Sequence, residues 1–217
     1  MIFEFWRCPA SNARNCLDAL ERCEDLDEHL WFRLVSTIGS LDVLQGGDTG
    51  LDYKIDLTAL KYIMTFARQN YGIVLVDLPS AINAASIHIL QQSQRIFVVT
   101  APDIASVHIA KVRWLQLQNL DLAGNAFLIL NRQGKADGIT AAEIKNIVGV
   151  PLYGSFANDG EAVQNALLSG SKISTGYKLG RELSTFAESL RNGPVANQPR
   201  KKGRFSDLFV IPKMPVV

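Results

Sequence analysis

The feature that most constrains the fold is a short apolar segment that ends in a carboxylate. Residues Ile73 to Val76 are four consecutive aliphatic residues, and Asp77 follows them directly. An unbroken apolar segment of this length, bounded by turn residues, is typical of a strand buried on both faces of a parallel sheet. Open α/β sheets bind ligands at the carboxyl ends of their strands, and Asp77 is predicted to lie at such an end.

The segment Tyr71 to Pro79 has the form of a Walker B motif, whose aspartate helps to hold Mg²⁺ beside nucleotide phosphates. A Walker B motif works together with a Walker A loop, a glycine-rich turn that cradles phosphate and ends in Lys-Ser/Thr. No Gly-Lys-Ser or Gly-Lys-Thr occurs among the 217 residues. The glycine-containing segment Gln45 to Asp52 has no Lys-Ser/Thr at the required spacing, so we interpret it as a plain polar loop.

Length and composition favour one α/β domain in the cytoplasm. The chain has 217 residues, of which 47% are hydrophobic and 20% are charged, and its formal net charge is +1. This length allows one sizeable core, and the balanced charge gives no indication of a nucleic-acid partner. The apolar segments are too short to cross a membrane, and residues 1–14 lack the pattern of a signal peptide. Cys8, Cys16 and Cys23 match no zinc signature, so we expect reduced thiols.

Predicted helices and strands alternate along most of the chain. The predicted helices are 12–23, 26–35, 57–69, 84–92, 104–118, 141–148, 160–168 and 178–191, and the predicted strands are 41–44, 73–76, 96–99, 127–130 and 150–153. Asp25 is the expected cap of the second helix. This alternation indicates βαβ units and a parallel sheet with helices on both faces. Residues 1–191 are therefore predicted to form the domain, and residues 192–217 a linker and tail.

Polar residues follow three further predicted strands. Asn131-Arg132 comes after strand 127–130, and the amide of Asn131 has donor and acceptor atoms that can pair with the edge of adenine. Asn158-Asp159 leads into a helix, and Thr100 to Asp103 leaves strand 96–99. Each segment also has a plain structural interpretation: Asn131 caps loop backbone groups, whereas Asp159 and Asp103 cap helices.

In this order and spacing, the four segments resemble the MinD/ParA family of P-loop ATPases. The closest likeness is to its pilus-assembly branch, called CpaE or TadZ, and it extends over roughly residues 15 to 190. The motifs that carry it are Asp77-Leu78-Pro79, Val98-Val99-Thr100, Asn131-Arg132 and the segment from Asn158-Asp159 to Gly170, preceded by the segment from Leu26 to Leu44. The resemblance implies a parallel sheet flanked by helices, in a P-loop NTPase fold that lacks its first strand and Walker A loop.

The resemblance also implies ligands and site residues. ATP and Mg²⁺ are the implied cofactors, with Asp77 on the metal and Asn131, Arg132, Asn158 and Asp159 around the nucleotide base. The proline that the family usually has in the last of these loops is Ala157 here, which weakens that contact. The phosphate loop, its signature lysine and a switch aspartate are expected to lie upstream of residue 1. We therefore expect weak or no ATP binding by this chain and no hydrolysis, and we predict no catalytic residue. A missing loop strand would leave an unpaired edge beside the Walker B strand.

Two functions are open at this point. The first is a CpaE/TadZ-like role in the localisation or assembly of a type IV or Flp-type pilus or secretion apparatus, with proteins of that machine and a second copy of the chain as partners. The alternative is a non-enzymatic scaffold that uses the retained fold to bind proteins. The segment Arg200 to Phe209 is similar to the basic amphipathic helix at the end of MinD proteins, which implies a weak contact with the inner membrane; the alternative is a solvated tail.

Overall fold

Helices and strands alternate in the computed structural model, which describes residues 2–4, 15–46, 55–134 and 138–192. The chain divides into two units, Met1–Ser93 and Gln94–Val217. The first unit contains β1 (Ile2–Glu4), α1 (Cys16–Glu21), α2 (Glu28–Leu34), β2 (Ser36–Ile38), β3 (Leu41–Leu44), α3 (Leu57–Asn70), β4 (Leu75–Asp77) and α4 (Ala84–Gln92). The second unit contains β5 (Ile96–Thr100), α5 (Ile104–Asn119), β6 (Ala126–Gln133), α6 (Ala141–Val148), β7 (Leu152–Ala157), α7 (Gly160–Ser169) and α8 (Lys178–Asn192).

The sheet of the first unit has the strand order β2-β3-β1-β4. Strand β1 is parallel to both of its neighbours, whereas β2 and β3 form an antiparallel hairpin. The hairpin turn contains Gly39, whose φ of +65° is strained for residues with a side chain. Neither β1 nor β2 was predicted from the sequence, because each has only three residues and no clear alternation of apolar and polar positions. The hairpin makes this sheet mixed rather than purely parallel.

One apolar core holds the four helices of the first unit against the sheet. Helix α3 begins after Asp56, whose carboxylate accepts a hydrogen bond from the Thr58 N–H at 2.7 Å. Its buried residues recur on one face, as expected for an amphipathic helix: Ala59, Leu60, Ile63, Met64 and Ala67. Side chains from α1, α2, α4 and β3 join the same core.

The sheet of the second unit is parallel throughout, with the order β5-β6-β7. Ile129 and Phe156 pack with Leu179 of α8 on one face. Leu128 and Leu130 are also buried, and the alternation of side chains along a strand directs them to the opposite face. Helix α5 contacts β5 and α6, and both helices have buried apolar residues. This sheet therefore carries helices on both faces, as the sequence predicts.

Most predicted elements agree with the structure to within a few residues, and three differences are informative. The predicted cap Asp25 lies in a short 3₁₀ helix, and Asp27 caps α2 instead by accepting from the Leu30 N–H. Strand β4 begins at Leu75 instead of Ile73, and β7 begins at Leu152. Residues 5–14, 47–54 and 193–217 lie outside the described residues, and with them Cys8, most of the loop after β3 and the proposed membrane segment Arg200 to Phe209.

Candidate functional site

The carboxyl edge of the second sheet brings four of the five candidate residues together. Gln133 at the end of β6 pairs with Ala157 at the end of β7. The backbone N–H of Asn158 extends this pairing by donating to the Gln133 carbonyl oxygen at 2.9 Å. Asn131-Arg132 and Asn158-Asp159 therefore leave neighbouring parallel strands at the same edge, where ligands bind in open α/β sheets.

Asn131 and Arg132 form an irregular, exposed end of β6. The register between β6 and β7 shifts between Leu130 and Gln133, and Arg132 has a φ of +55°. The Arg132 backbone N–H donates to Asn131 Oδ1 at 2.9 Å. The plain interpretation of Asn131 as a local backbone cap is thus observed. Both side chains are exposed, so a ligand at this edge has access to them.

Asp159 is the N-cap of α7. Its carboxylate accepts a hydrogen bond from the Ala162 N–H at 3.2 Å, and Glu161 adds a second negative charge to the first turn. A negative charge at this position is stabilised by the helix dipole. Asn158, the preceding residue, is exposed at the sheet edge. Of this pair, Asn158 is therefore the residue whose side chain is better placed to meet a ligand.

Glu182 of α8 is a residue near this edge that the sequence did not indicate. Its Oε2 accepts a hydrogen bond from the Ala157 backbone N–H at 2.7 Å, and Lys178 lies 3.6 Å away from its Oε1. Proline lacks a backbone N–H, so the alanine at 157 is what makes this bond available. Helix α8 thereby holds the start of the loop that carries Asn158. The feature of the sequence that could have indicated this contact is Ala157, which stands where the resembled family usually has a proline.

Asp77 lies at the end of β4 in the first unit, whereas the other four candidate residues belong to the second. Its strand is not buried on both faces as predicted, since Ile73 is 56% and Leu75 49% exposed. Val74 and Val76 pack against the core of the unit on the other face. The physical reason is that the helices of this unit share one core. Asp77 itself is exposed at the end of the strand.

In the described part of the first unit, strand β4 is paired with another strand on only one of its two sides. Strand β1 lies on one side in parallel register, with Glu4 opposite Asp77, so this side of β4 is paired and is not the unpaired edge expected from the sequence. Since β4 is the last strand in the sheet order, no described strand of this sheet pairs with its other side. An edge strand with exposed aliphatic residues is open to pairing and to apolar contacts.

Among the described residues of the first unit, the other acidic groups form no metal or phosphate site. An open cleft of about 420 Å³ between α1 and α3 is lined by four carboxylates, Glu21, Glu24, Asp25 and Asp56, and by one cation, Arg22, so the lining carries a net negative charge. Four carboxylates against one guanidinium make the cleft unfavourable for a polyphosphate. Across the residues that the structure describes, no group of three His, Cys, Asp or Glu side chains is arranged to hold a metal ion.

A polar cluster in the first unit has a structural role. Tyr71, which follows α3, donates to Asp42 Oδ2 at 2.6 Å and accepts from Trp31 Nε1 at 2.7 Å, while Thr37 donates to Asp42 Oδ1 at 2.6 Å. Burial and the hydrogen bond to Asp42 raise the pKa of Tyr71 to about 12. The hydrogen bonds from Thr37 and Tyr71 lower the pKa of Asp42. The cluster joins the β2–β3 hairpin to α2 and α3.

Asp103 in the segment after β5 is an N-cap, as its plain interpretation predicts. Its carboxylate accepts from the Ser106 N–H at 2.9 Å at the start of α5. The hydrogen bonds from the Ser106 backbone and hydroxyl lower the pKa of Asp103. This segment therefore positions α5 and contributes no ligand group beyond its exposed carboxylate.

Comparisons with known proteins agree with this architecture. No protein-family model matches the sequence. Over 106 residues the chain is 24% identical to a septum site-determining protein MinD of Oltmannsiellopsis viridis, a match that covers 46% of this chain and 33% of that protein. The chain thus matches about a third of the length of this curated relative.

Solved structures with the same fold include ATPases of the ParA and MinD type. A ParA family ATPase from Chlorobium tepidum TLS has a TM-score of 0.77 at 20% identity, over 87% of this chain and 85% of that one. MinD in the MinC:MinD complex of Aquifex aeolicus has a TM-score of 0.72 at 16% identity, over 89% and 83%. MinD of Pyrococcus horikoshii OT3 in complex with Mg-ADP has a TM-score of 0.63 at 17% identity, over 90% and 85%.

These likenesses establish the class of fold. The chain has the α/β fold of MinD/ParA-type P-loop ATPases, with a parallel sheet flanked by helices. The described helices include none that is both long and apolar enough to span a membrane.

Proposed function

We propose that this protein is a CpaE/TadZ-like member of the MinD/ParA ATPases that helps to localise or assemble a type IV or Flp-type pilus or secretion apparatus. We further propose that these 217 residues act without hydrolysing ATP. The observation that carries the proposal is the meeting of Asn131-Arg132 and Asn158-Asp159 at one sheet edge of a MinD/ParA fold. That arrangement matches the base end of the nucleotide site that the sequence resemblance implies.

The base end fits a nucleotide better than the phosphate end does. Asn131, Arg132 and Asn158 are exposed polar side chains, which suit the donor and acceptor groups of adenine. At the phosphate end, Asp77 is a single exposed carboxylate, and no Gly-Lys-Ser/Thr occurs in the sequence. Phosphoryl transfer depends on positioning the phosphates and stabilising their charge. Bound ATP would bring four negative charges, and this chain offers little to neutralise them, so we expect weak binding at most.

The absence of hydrolysis is tested by ATP turnover in the presence of Mg²⁺. We expect the same background rate for the 217-residue chain and for Asp77→Ala. Asp25→Ala is the matched control, since it removes another exposed carboxylate of the first unit. Turnover that disappears in Asp77→Ala and persists in Asp25→Ala would show that the chain hydrolyses ATP and would refute this part of the proposal.

The cellular role is tested by deleting the gene in its native host and counting surface pili by electron microscopy. We expect a loss or mislocalisation of pili that wild type and Asp77→Ala restore equally. Unchanged pili in the deletion strain would contradict the pilus role. Rescue by wild type alone, with Asp77→Ala folded and expressed, would show that metal or nucleotide chemistry at Asp77 is needed.

A second candidate is a scaffold that binds proteins and no nucleotide. Two candidate residues favour the scaffold, because the side chains of Asn131 and Asp159 both accept hydrogen bonds from nearby backbone N–H groups. MinD of Aquifex aeolicus is solved as a complex with MinC, which supports protein partners for this fold. Calorimetry separates the two candidates: the scaffold predicts no heat on addition of ATP or ADP. Micromolar binding that is lost in Asn131→Ala would instead support the nucleotide site.

A further inference from the structure

Strand β5 is the edge of the second sheet that the described structure leaves open. The strand order is β5-β6-β7, so no described strand pairs with the outer side of β5. At the other edge of the sheet, α8 contacts β7, and the Glu182 carboxylate accepts a hydrogen bond from the Ala157 N–H at 2.7 Å. An open strand edge presents N–H and C=O groups that a further strand can pair with.

Apolar side chains near this edge are also uncovered. Phe97 is half-buried and packs on the face that carries α8. Val99 points to the same face, because it lies two residues further along the strand, and it is 58% exposed. Helix α5 also keeps an uncovered apolar side, where Ile104 and Ile109 are 78% and 52% exposed. The second unit therefore has apolar surface left over that a further segment of chain can cover.

Helix α8 ends beside the first residues of β5. The Leu190 carbonyl oxygen accepts a hydrogen bond at 3.0 Å from Arg95 Nη1, and Arg95 directly precedes the strand. The Tyr153 hydroxyl, at the start of β7, donates to the Ser189 carbonyl oxygen at 3.4 Å. Near the start of α8, by contrast, Glu182 contacts the end of β7. The chain therefore leaves α8 at the edge of the sheet where a strand parallel to β5 has to begin.

We propose that residues 208–211 of this chain add to the outer side of β5 as a further parallel strand. Their sequence is Leu-Phe-Val-Ile, and Pro212 follows directly. Phenylalanine, valine and isoleucine are enriched in strands, and a proline is typical of the end of a strand. An unbroken apolar run of this length suits a parallel strand that has apolar neighbours on both faces.

The handedness of the connection selects the side of β5. Helices α5 and α6 join β5, β6 and β7 on one face of the sheet, and α8 lies on the opposite face. Crossovers between parallel strands are right-handed in about 98% of cases. Because α8 lies on the opposite face, a right-handed connection that starts from β7 has to return across the sheet toward β5. The open position in that direction is the outer side of β5.

The length of the connecting segment permits this pairing. Residues 193–207 can span at most about 50 Å when extended, whereas neighbouring strands lie only about 4.8 Å apart. The contact lies within one chain and does not depend on nucleotide. A strand at this position would keep Phe209 in the sheet, where it is not available for the membrane contact that the resemblance implies for Arg200 to Phe209.

Hydrogen exchange of the full chain without nucleotide, measured on the β5 peptide, tests the proposal. Phe209→Pro and Val210→Pro are the test variants. Successive N–H groups face opposite sides of a strand, so one of the two prolines must remove a hydrogen bond to β5. We expect that variant to speed exchange of the outward-facing β5 amides by about tenfold or more. Val216→Pro is the matched control in the same tail, and circular dichroism establishes that each variant is folded.

The concentration of the chain identifies the source of the strand. Protection of β5 should be the same at about 1 µM and about 100 µM, because a contact within one chain does not depend on concentration. Protection that rises with concentration would overturn the proposal, since a second copy would then supply the strand. Fast exchange of β5 in the wild type would also overturn it, as would protection that both Phe209→Pro and Val210→Pro leave unchanged.

Discussion

The two strands that lead to the candidate residues, β4 and β6, differ in how they are buried. Leu128 to Leu130 of β6 are buried, with α8 packed on one face of the sheet. Strand β4 alternates: Val74 and Val76 pack against the core, whereas Leu75 is half exposed. Both segments are uninterrupted aliphatic runs in the sequence. The difference shows that such a run marks a strand but does not reveal how many of its faces are covered.

This difference also distinguishes how the candidate residues of the two units are held. Asn131 and Arg132 lie at the end of β6, in which Leu128 to Leu130 are buried, and Asn158 follows β7 and donates its backbone N–H to the Gln133 carbonyl oxygen. Asp77 lies at the end of an edge strand with one covered face. Binding sites need groups held in place by a rigid frame. In the described structure, the end of β6 has such a frame, and the end of β4 has less of one.

The largest effect is expected from truncation of the buried strand. Leu128→Ala should lower the free energy of unfolding of the second unit by about 2–5 kcal/mol, because Leu128 is fully buried and its loss leaves a cavity. Leu75→Ala should cost less than about 1.5 kcal/mol in the first unit, since half of its side chain is already exposed. Hydrogen exchange read separately on peptides of each unit measures both changes. Equal losses would show that β4 is as enclosed as β6.

The polar cluster of the first unit is expected to have the next largest effect. Tyr71→Phe removes the hydrogen bonds to Asp42 and from Trp31 and should cost about 1–3 kcal/mol. Tyr177→Phe is the control, since the Tyr177 hydroxyl accepts a hydrogen bond from the exposed Asn165 amide. A loss for Tyr177→Phe as large as for Tyr71→Phe would contradict a special role of the cluster.

Tyr71→Phe should also change how the stability of the chain depends on pH in the alkaline range. The pKa of Tyr71 is raised to about 12 in the folded chain, above the value of about 10 for an unfolded tyrosine. The unfolded chain therefore loses this proton first, and stability falls as pH rises from about 10 to about 12. Tyr71→Phe should flatten this part of the stability curve in urea denaturation. If the free energy of unfolding falls as steeply with pH in Tyr71→Phe as in the wild type, the Tyr71 hydroxyl does not make these hydrogen bonds.

A smaller effect is expected at the cap of α7. Asp159→Ala should lower the stability of this helix by about 1 kcal/mol, because the Ala162 N–H loses its partner. Asp159→Asn should retain most of the stability, since asparagine is an equally good N-cap. Exchange of the α7 amides measures both variants. A large loss of nucleotide affinity in Asp159→Asn, with the helix intact, would assign the carboxylate a binding role beyond capping.

The smallest effect is expected at the irregular end of β6. Arg132 has a φ of +55°, so Arg132→Gly should raise the stability by up to about 1 kcal/mol. Asp121→Gly is a matched control, because Asp121 has a φ of +56° outside the site. Destabilisation by Arg132→Gly alone would show that the guanidinium makes a contact that outweighs the backbone strain.

The sequence predicted the local structure well where apolar periodicity was long. Helices α4 and α6 have the predicted bounds, and α3, α5, α7 and α8 differ by one residue at their ends. The three-residue strands β1 and β2 were missed, since their formation depends on neighbours that are distant in the chain. Strand pairing of this kind leaves little trace in a single short segment.

For the candidate site, the sequence proposed residues, and the structure shows the local contacts that those residues make. Asn131 and Asp159 were considered both as ligands and as caps, and the structure shows the capping bonds. Glu182 was missed, because its contact with Ala157 joins residues 25 positions apart. The pairing of Asn158 with Gln133 likewise required the register of β6 and β7.

By itself, the sequence determined that this is an α/β protein with alternating strands and helices and with polar residues at the ends of its strands. Apolar periodicity and capping residues are local properties, so they can be read along the chain. Only the tertiary structure decided that β4 is half exposed, that α5 keeps an uncovered apolar face and that Glu182 holds the loop at Ala157. Burial and hydrogen-bond partners depend on which distant elements pack together, and packing is a property of the whole fold.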